Sequence, residues 1–143
     1  MRCITFLLLF FCFVTSACYS STYLVTGHYC TRLDSDFKGY RYDQSIPICK
    51  RNVSSRQKKI VYEKYGVPYA ERYNYTIDHI ISLFVGGSNE TDNLWPQHKN
   101  VSTAKLEYQL YIQLRDGDKS SQEVINLLIN RKREIIEIYF KGA

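Results

Sequence analysis

The residues best suited to chemistry in this sequence are two of its three histidines and the aspartate beside one of them. Asp78 directly precedes His79, and His98 follows beyond a glycine-rich stretch. A carboxylate and an imidazole can bind a divalent metal ion, while a histidine that binds no metal can take a proton from water. An imidazole pKa near ~6.5 suits that role at neutral pH. One-metal hydrolysis of a phosphodiester needs these groups, although an isolated Asp-His pair is also a common surface pair at a strand end.

The segment between these histidines is more specific than the pair itself. Residues 78–89 read DHIISLFVGGSN, and residues 93–96 read NLWP. This run closely resembles the core signature of HNH endonucleases, in which an Asp-His pair, a Gly-Gly-x-Asn turn and Asn-Leu-Trp-Pro occur in the same order. The resemblance extends from about Cys30 to the last helix. Ser82 departs from it, because the family usually has proline there.

The resemblance implies a ββα-metal core at about residues 73–115, in which two strands, a glycine loop and a helix hold one divalent ion. Asp78 would be the carboxylate ligand, and His79 would be the general base. Asn93 would hold the loop and help to orient His79. The metal would stabilise charge on the phosphate and on the leaving oxygen.

The third residue at the metal is ambiguous, since both His98 and Asn100 lie in the expected window. We prefer His98, because imidazole is the better ligand for a transition metal. The expected cofactor is one divalent ion, with Mg²⁺ first and Mn²⁺ or Zn²⁺ as alternatives. The implied activity is endonuclease cleavage of DNA, with RNA as a further candidate substrate. The alternative is an inactive nucleic-acid-binding module of the same fold.

The pattern of apolar residues around this segment predicts an α+β fold. Ser54 or Ser55 can cap a helix over residues 57–65, which Gly66 would end. Its inward-facing residues are predicted to be Ile60, Val61 and Tyr65.

The signature itself is predicted to lie on two strands. Alternation over residues 73–77 predicts a strand leading into Asp78, and Asn93–Trp95 could return as a short strand stopped by Pro96. We expect Trp95 to be a buried anchor between strand and helix, with base stacking as the alternative.

Helices are predicted for the rest of the chain, from Val101 onward. Leu106, Leu110 and Leu114 fall at helical spacing, and residues 116–118 interrupt the pattern. A last helix would begin after Ser120 or Ser121. Its apolar stripe is predicted to be Val124, Leu127, Leu128, Ile135 and Ile138.

Positive charge is concentrated just before the signature. The residues predicted to contact nucleic acid are Arg51, Arg56, Lys58, Lys59 and Arg72. The formal net charge of +5 is modest, and on charge alone a solvated helix face is the simpler interpretation. Beside the resemblance, we interpret the cluster as a phosphate-contacting surface of low sequence specificity, because backbone contacts give affinity without reading bases.

The first residues predict export. Residues 1–17 combine Arg2, an apolar run and small residues, as a secretory signal peptide does, and residues 18–143 would form a single domain. A secreted or periplasmic monomer is expected, or a lipoprotein anchored through Cys18. An oxidising compartment favours a Cys30–Cys49 disulfide. Free thiols or a bridge to Cys18 are the alternatives.

Overall fold

The computed structural model describes residues 27–140, so the expected signal peptide and Cys18 lie outside the described residues. The fold is α+β, as predicted. In this range the strands are β1 (Phe37–Arg41), β2 (Ile46–Cys49), β3 (Tyr75–His79) and β4 (Leu94–His98), and the α-helices are α1 (Ser55–Lys64), α2 (Ala104–Arg115) and α3 (Ser121–Phe140). None of the helices within residues 27–140 has the length and apolar character needed to cross a bilayer.

The segment before α1 is fastened to the rest of the chain at two places. β1 and β2 pair antiparallel, and a disulfide joins Cys30 to Cys49, which confirms the predicted bridge. Cys30 also donates its backbone N–H to the carbonyl oxygen of Gly86 at 2.8 Å. The backbone N–H of Ser88 donates to the carbonyl oxygen of His28 at 2.9 Å. The disulfide-bonded segment therefore lies against the glycine turn of the signature.

Helix α1 is present as predicted, although it covers Ser55–Lys64 rather than residues 57–65. Ser54 is the N-cap, and it forms a capping box with Gln57. Val61 and Tyr65 are buried, four residues apart on one face. The prediction for Ile60 is wrong, because this residue is 41% exposed. One position before Val61, its side chain is rotated about 100° around the helix axis, toward solvent.

Strands β3 and β4 form an antiparallel two-stranded sheet. Asp78 pairs with Trp95, and His79 pairs with Leu94. The predicted first strand begins too early, since residues 69–74 form a 3₁₀ helix and β3 starts at Tyr75. Trp95 is fully buried, which confirms the anchor and leaves no ring surface for a base.

Pro96 lies within β4, so the prediction that it stops the strand is wrong. The backbone N–H of Ile80 donates to the backbone carbonyl oxygen of Asn93. The backbone N–H of Lys99 donates to the backbone carbonyl oxygen of Asn74. Ladder bonds in an antiparallel pair fall on every second residue pair. The pair of Pro96 and Ile77 lies between the bonded pairs, so the missing N–H of proline breaks no ladder bond.

Helices α2 and α3 cover the sheet and the glycine loop. The buried residues of α3 are Val124, Ile125, Leu128, Lys132, Ile135, Ile136 and Phe140. The predicted stripe is wrong for Leu127 and Ile138, which are 43% and 75% exposed. The stripe contains one charged residue, Lys132, which reaches the residues described next.

Candidate functional site

Asp78 faces a pocket of about 320 Å³ on one side of the β3–β4 sheet. Residues directly opposite each other in an antiparallel pair share a face, so Asp78 lies on the face of Trp95 and Gln97. The pocket is also lined by Arg51 from the loop before α1 and by Glu107 from α2. Three separate parts of the chain thus bring two carboxylates and one guanidinium to the same opening.

Lys132 of α3 lies close to both carboxylates of this pocket. Its ammonium is fully buried and donates to Glu107 Oε1 at 2.8 Å, to the carbonyl oxygen of His79 at 2.5 Å and to Ser82 Oγ at 3.2 Å. These three partners match the three protons of an ammonium. Asp78 Oδ2 lies farther away, at 3.7 Å. The two carboxylates and one ammonium together carry a formal charge of −1.

His79 is the last residue of β3, and only 2% of its surface is exposed. Its Nε2 lies 3.0 Å from Asn89 Oδ1, and its Nδ1 lies 3.1 Å from Nη1 of Arg51. Burial lowers the pKa of His79 below its ordinary value, because an imidazolium would lose hydration. The Asn89 hydrogen bond opposes that shift, whereas the positive charge of Arg51 adds to it.

Arg51 connects the imidazole with the pocket. Its Nη2 donates to the carbonyl oxygen of Ile77 at 2.6 Å, while its Nη1 contacts His79 and the residue also lines the pocket beside Asp78. Asp78 and His79, adjacent on one strand, point to opposite faces, as ideal strand geometry requires. Arg51 therefore contacts His79 and also lines the pocket of Asp78.

Asn93 holds the loop that follows His79. Its Oδ1 accepts the N–H of Ile81 at 2.8 Å, and its Nδ2 donates to the carbonyl oxygens of Ile81 and Ser88 at 3.0 and 2.8 Å. These bonds join both ends of the glycine loop. Asn93 is fully buried and therefore supports the backbone beside His79 rather than the imidazole itself.

The structure does not bring His98 to Asp78. His98 pairs with Tyr75, three positions along β4 from the partner of Asp78, which is a separation of about 10 Å along the strand. It also lies on the opposite face of the sheet, where its ring stacks on Tyr139 with centroids 5.0 Å apart. Its Nδ1 accepts the N–H of Asn100 at 3.2 Å. Neither residue lines the pocket at Asp78.

The five residues of the predicted basic surface lie in three different environments. Arg56, Lys58 and Lys59 are exposed on or beside the solvent face of α1. Arg72 is only 20% exposed, because its guanidinium lies over the rings of Tyr62 and Tyr69 at 5.2 and 5.5 Å. Arg51, the fifth predicted residue, contacts His79 directly.

Carboxylates are the available metal ligands at the pocket. In residues 27–140, the one tight group of three His, Cys, Asp or Glu side chains is Cys30, Asp34 and Cys49, and its two sulfurs are already joined as a disulfide. Asp78 and Glu107 lie elsewhere, with side chains 28% and 23% exposed. Their accessible oxygens, with the amide of Gln97, form a donor set suited to a hard cation.

Sequence reasoning missed the roles of Glu107, Lys132 and Asn89. Lys132 was recognisable in principle, since it falls four residues after Leu128 on the apolar face of α3, where a lone charge needs a buried partner. Glu107 carries no such local pattern, and Asn89 was recognised only as the last residue of the Gly-Gly-x-Asn turn, without its contact with His79. Each comes from a segment distant along the chain from the group it contacts, so only the tertiary structure identifies its role.

Comparison of the chain with protein-family models, curated proteins and solved structures gives no match.

Proposed function

We propose that this chain is an exported, metal-dependent endonuclease that hydrolyses phosphodiester bonds of DNA, with RNA as a second substrate to be tested. The observation that carries the proposal is the contact of Arg51 with both the buried imidazole of His79 and the pocket of Asp78 and Glu107. A base, an anion-binding guanidinium and metal-ligating carboxylates are the groups that phosphodiester hydrolysis needs. We assign β3, β4 and α2 to the ββα-metal core that the sequence resembles.

The pocket fits one divalent ion of the Mg²⁺ type better than it fits Zn²⁺. Asp78 would hold the ion, and we add Glu107 as its neighbour in the pocket, because both offer carboxylate oxygens there. Lys132 leaves this pair with a formal charge of −1 instead of −2, so we expect weak binding of the metal. When bound, the ion would supply electrostatic stabilisation of the phosphate and the leaving oxygen.

His79 is the proposed general base. Its pKa is lowered by burial, so the imidazole is neutral and able to accept a proton at neutral pH. A bound phosphate would draw the Nη1–H of Arg51 away from His79, so that the guanidinium binds a phosphate oxygen and the Nδ1 lone pair becomes free to accept a proton. The scissile phosphate would then lie between the guanidinium and the carboxylates, with the imidazole beside it.

The exposed cations of α1 supply the expected path for the nucleic-acid backbone. Arg56 and Lys58 are fully available, since no carboxylate of residues 27–140 pairs with either of them. Such contacts give affinity that falls with salt and carry no sequence information. The inactive binding module remains the second hypothesis, and it predicts the same salt dependence without cleavage.

The decisive experiment is cleavage of plasmid DNA by the purified protein with Mg²⁺, Mn²⁺ or Zn²⁺, and again with chelator. We expect nicking that requires metal and falls by about 100- to 10,000-fold in His79→Ala, since general-base groups contribute rate factors of that order. His98→Ala is the matched control, because His98 does not line the pocket of Asp78, contacts Tyr139 instead, and should be dispensable for cleavage. The absence of cleavage with every metal would support the binding module, and full activity of His79→Ala would remove His79 from the mechanism.

A further inference from the structure

The amide of Asn89 is buried, and all of its polar atoms have partners. Its Oδ1 lies 3.0 Å from Nε2 of His79 and accepts the backbone N–H of Asn52 at 3.2 Å. Its Nδ2 donates to the carbonyl oxygen of Lys50 at 2.8 Å and also to the carboxylate of Asp36. The side chain therefore joins the strand end at His79 to the segment that follows the disulfide.

Two of these partners have a fixed polarity, and they determine which way the amide lies. The backbone N–H of Asn52 can only donate, and the carbonyl oxygen of Lys50 can only accept. If Oδ1 and Nδ2 of Asn89 were exchanged, its NH₂ group would face the N–H of Asn52 and its oxygen would face the carbonyl oxygen of Lys50. Neither pair could form a hydrogen bond. The oxygen must therefore face His79, and an oxygen cannot donate, so Nε2 of His79 carries the hydrogen.

The other ring nitrogen leads to the same tautomer independently. Nδ1 of His79 lies 3.1 Å from Nη1 of Arg51, and a guanidinium has donors only. Nδ1 must then present its lone pair. That lone pair accepts the Nη1–H of Arg51, which also lines the pocket of Asp78, so Nδ1 is the ring nitrogen on the side of Arg51 and the pocket.

We propose that Asn89 is a positioning residue that fixes His79 in the Nε2–H tautomer, so that Nδ1 is the atom that accepts the proton of the attacking water. The catalytic part of this inference rests on the proposed nuclease function, whereas the tautomer does not. Asp36 and the carbonyl of Lys50 hold the amide in place. Without Asn89, the buried Nε2–H would have no acceptor, and a ring in the other tautomer or orientation would compete.

The tautomer can be read directly from long-range ¹H–¹⁵N correlation spectra of protein labelled at its three histidines. We expect the Nε2–H pattern for His79 in the wild type and in Arg51→Ala, because Asn89 is intact in both. Arg51→Ala/Asn89→Ala should lose that pattern in favour of a mixture or of the Nδ1–H form. An Nδ1–H pattern in the wild type, or an unchanged Nε2–H pattern in the double variant, would overturn the proposal.

Asn52→Ala is the matched control, because Asn52 contributes only its backbone N–H and should keep the wild-type spectrum. If the double variant does not fold, Arg51→Ala/Asp36→Ala weakens the same support and should show a larger share of the minor tautomer. An unchanged share would count against the proposal. Folding of each variant can be followed by the dispersion of its amide spectrum.

Activity gives a second readout. Asn89→Ala should lower kcat by about 10- to 100-fold with little change in KM, since groups that orient a catalytic side chain act on the reaction step. Asn52→Ala should retain both constants. Equal kcat values in the two variants would contradict the positioning role. If the wild type itself cleaves nothing, the nuclease function fails, while the spectra still decide the tautomer.

Discussion

Lys132 sets the electrostatic character of the pocket at the level of single residues. Its ammonium is fully buried and pairs with Glu107, with Asp78 somewhat farther away. A buried charge with well-placed partners is costly to disrupt, because removal of one partner leaves the other unpaired at about 3–5 kcal/mol. Lys132 therefore stabilises the two neighbouring carboxylates when no metal ion is bound. Its positive charge also lowers the affinity that they would have for a metal ion.

Metal titration distinguishes the carboxylates from the histidine as ligands. Glu107→Gln should weaken Mn²⁺ binding by about 10-fold or more, since it removes the charge of one of the two carboxylates that we propose as ligands. His98→Ala should bind Mn²⁺ like the wild type, because His98 lies on the other face of the sheet. Free Mn²⁺ can be followed by electron paramagnetic resonance. Stronger loss in His98→Ala than in Glu107→Gln would restore the ligand set expected from the sequence.

The buried imidazole should also make stability depend on pH. Burial lowers the pKa of His79 in the folded protein, whereas the unfolded chain has the ordinary value of ~6.5. The unfolded state therefore binds more protons as pH falls below about 6.5, and the stability contributed by the neutral histidine is lost down to the lower, folded-state pKa. Asp92 and Glu123, whose pKa values are lowered by Lys64 and by Ser120, titrate in a more acidic range.

Urea unfolding with chelator, between about pH 7.5 and pH 5.5, tests this expectation. The wild type should lose stability with a slope of at most about 1.4 kcal/mol per pH unit from this one group. His79→Gln should have a shallower slope over the same range. Equal slopes would mean that another group controls the dependence.

At the scale of elements, the glycine turn depends on close backbone packing. A Cβ on Gly87 would lie 1.8 Å from the carbonyl oxygen of Ile81 and 2.9 Å from Nδ2 of Asn93. No side chain can be accommodated there without moving the backbone that follows His79. The turn thus requires glycine for space, and Asn93 uses that closeness to join the two ends of the loop.

Gly87→Ala should destabilise the protein by several kcal/mol and disturb the bonds of Asn93, as judged by denaturant unfolding. Gly39→Ala is the matched control, because its Cβ would meet nothing within 4 Å, although its φ of +113° also disfavours alanine. The control should cost about 1 kcal/mol. A similar loss in both variants would show that packing at Gly87 is unimportant.

Local patterns predicted some elements well and others poorly. The caps and the spacing of Val61 and Tyr65 determine α1, because a helix is specified by nearby residues. The end of β4 was predicted wrongly at Pro96, since proline interrupts a strand only where its residue pair would carry a ladder hydrogen bond. His98 was assigned to the metal from its residue type and its place in the sequence. Its face and register could be known only after the partner strand was aligned.

At the scale of the whole molecule, the Cys30–Cys49 disulfide links the residue that is hydrogen-bonded to the glycine turn with the end of β2. Lys50, Arg51 and Asn52 follow Cys49 directly, and all three contact His79 or Asn89. The backbone N–H of Cys30 donates a hydrogen bond to the carbonyl oxygen of Gly86. The disulfide thus holds in place the segment whose residues contact His79 and Asn89.

Removal of the bridge should affect stability and activity together. With a sequence separation of 19, loss of the disulfide should cost about 3 kcal/mol. Cys30→Ala/Cys49→Ala should unfold at lower urea and should cleave DNA more slowly even where it is fully folded, because Arg51 and Asn89 are held less firmly. Thiol reduction of the wild type should reproduce both effects. A folded double variant with full kcat would show that the bridge serves stability alone.

The position of that bridge also bears on the cell that makes the protein. In newly made chains in a reducing cytoplasm, Cys30 and Cys49 would be free thiols, since disulfides persist in oxidising compartments. If the chain is the exported nuclease proposed above, the groups that hold the imidazole would then be loosely organised until the chain had left. We expect this delay to protect the producer's own chromosome. The test is to express the chain without residues 1–17 in a reducing and in an oxidising host cytoplasm. The difference in host survival measures the protection.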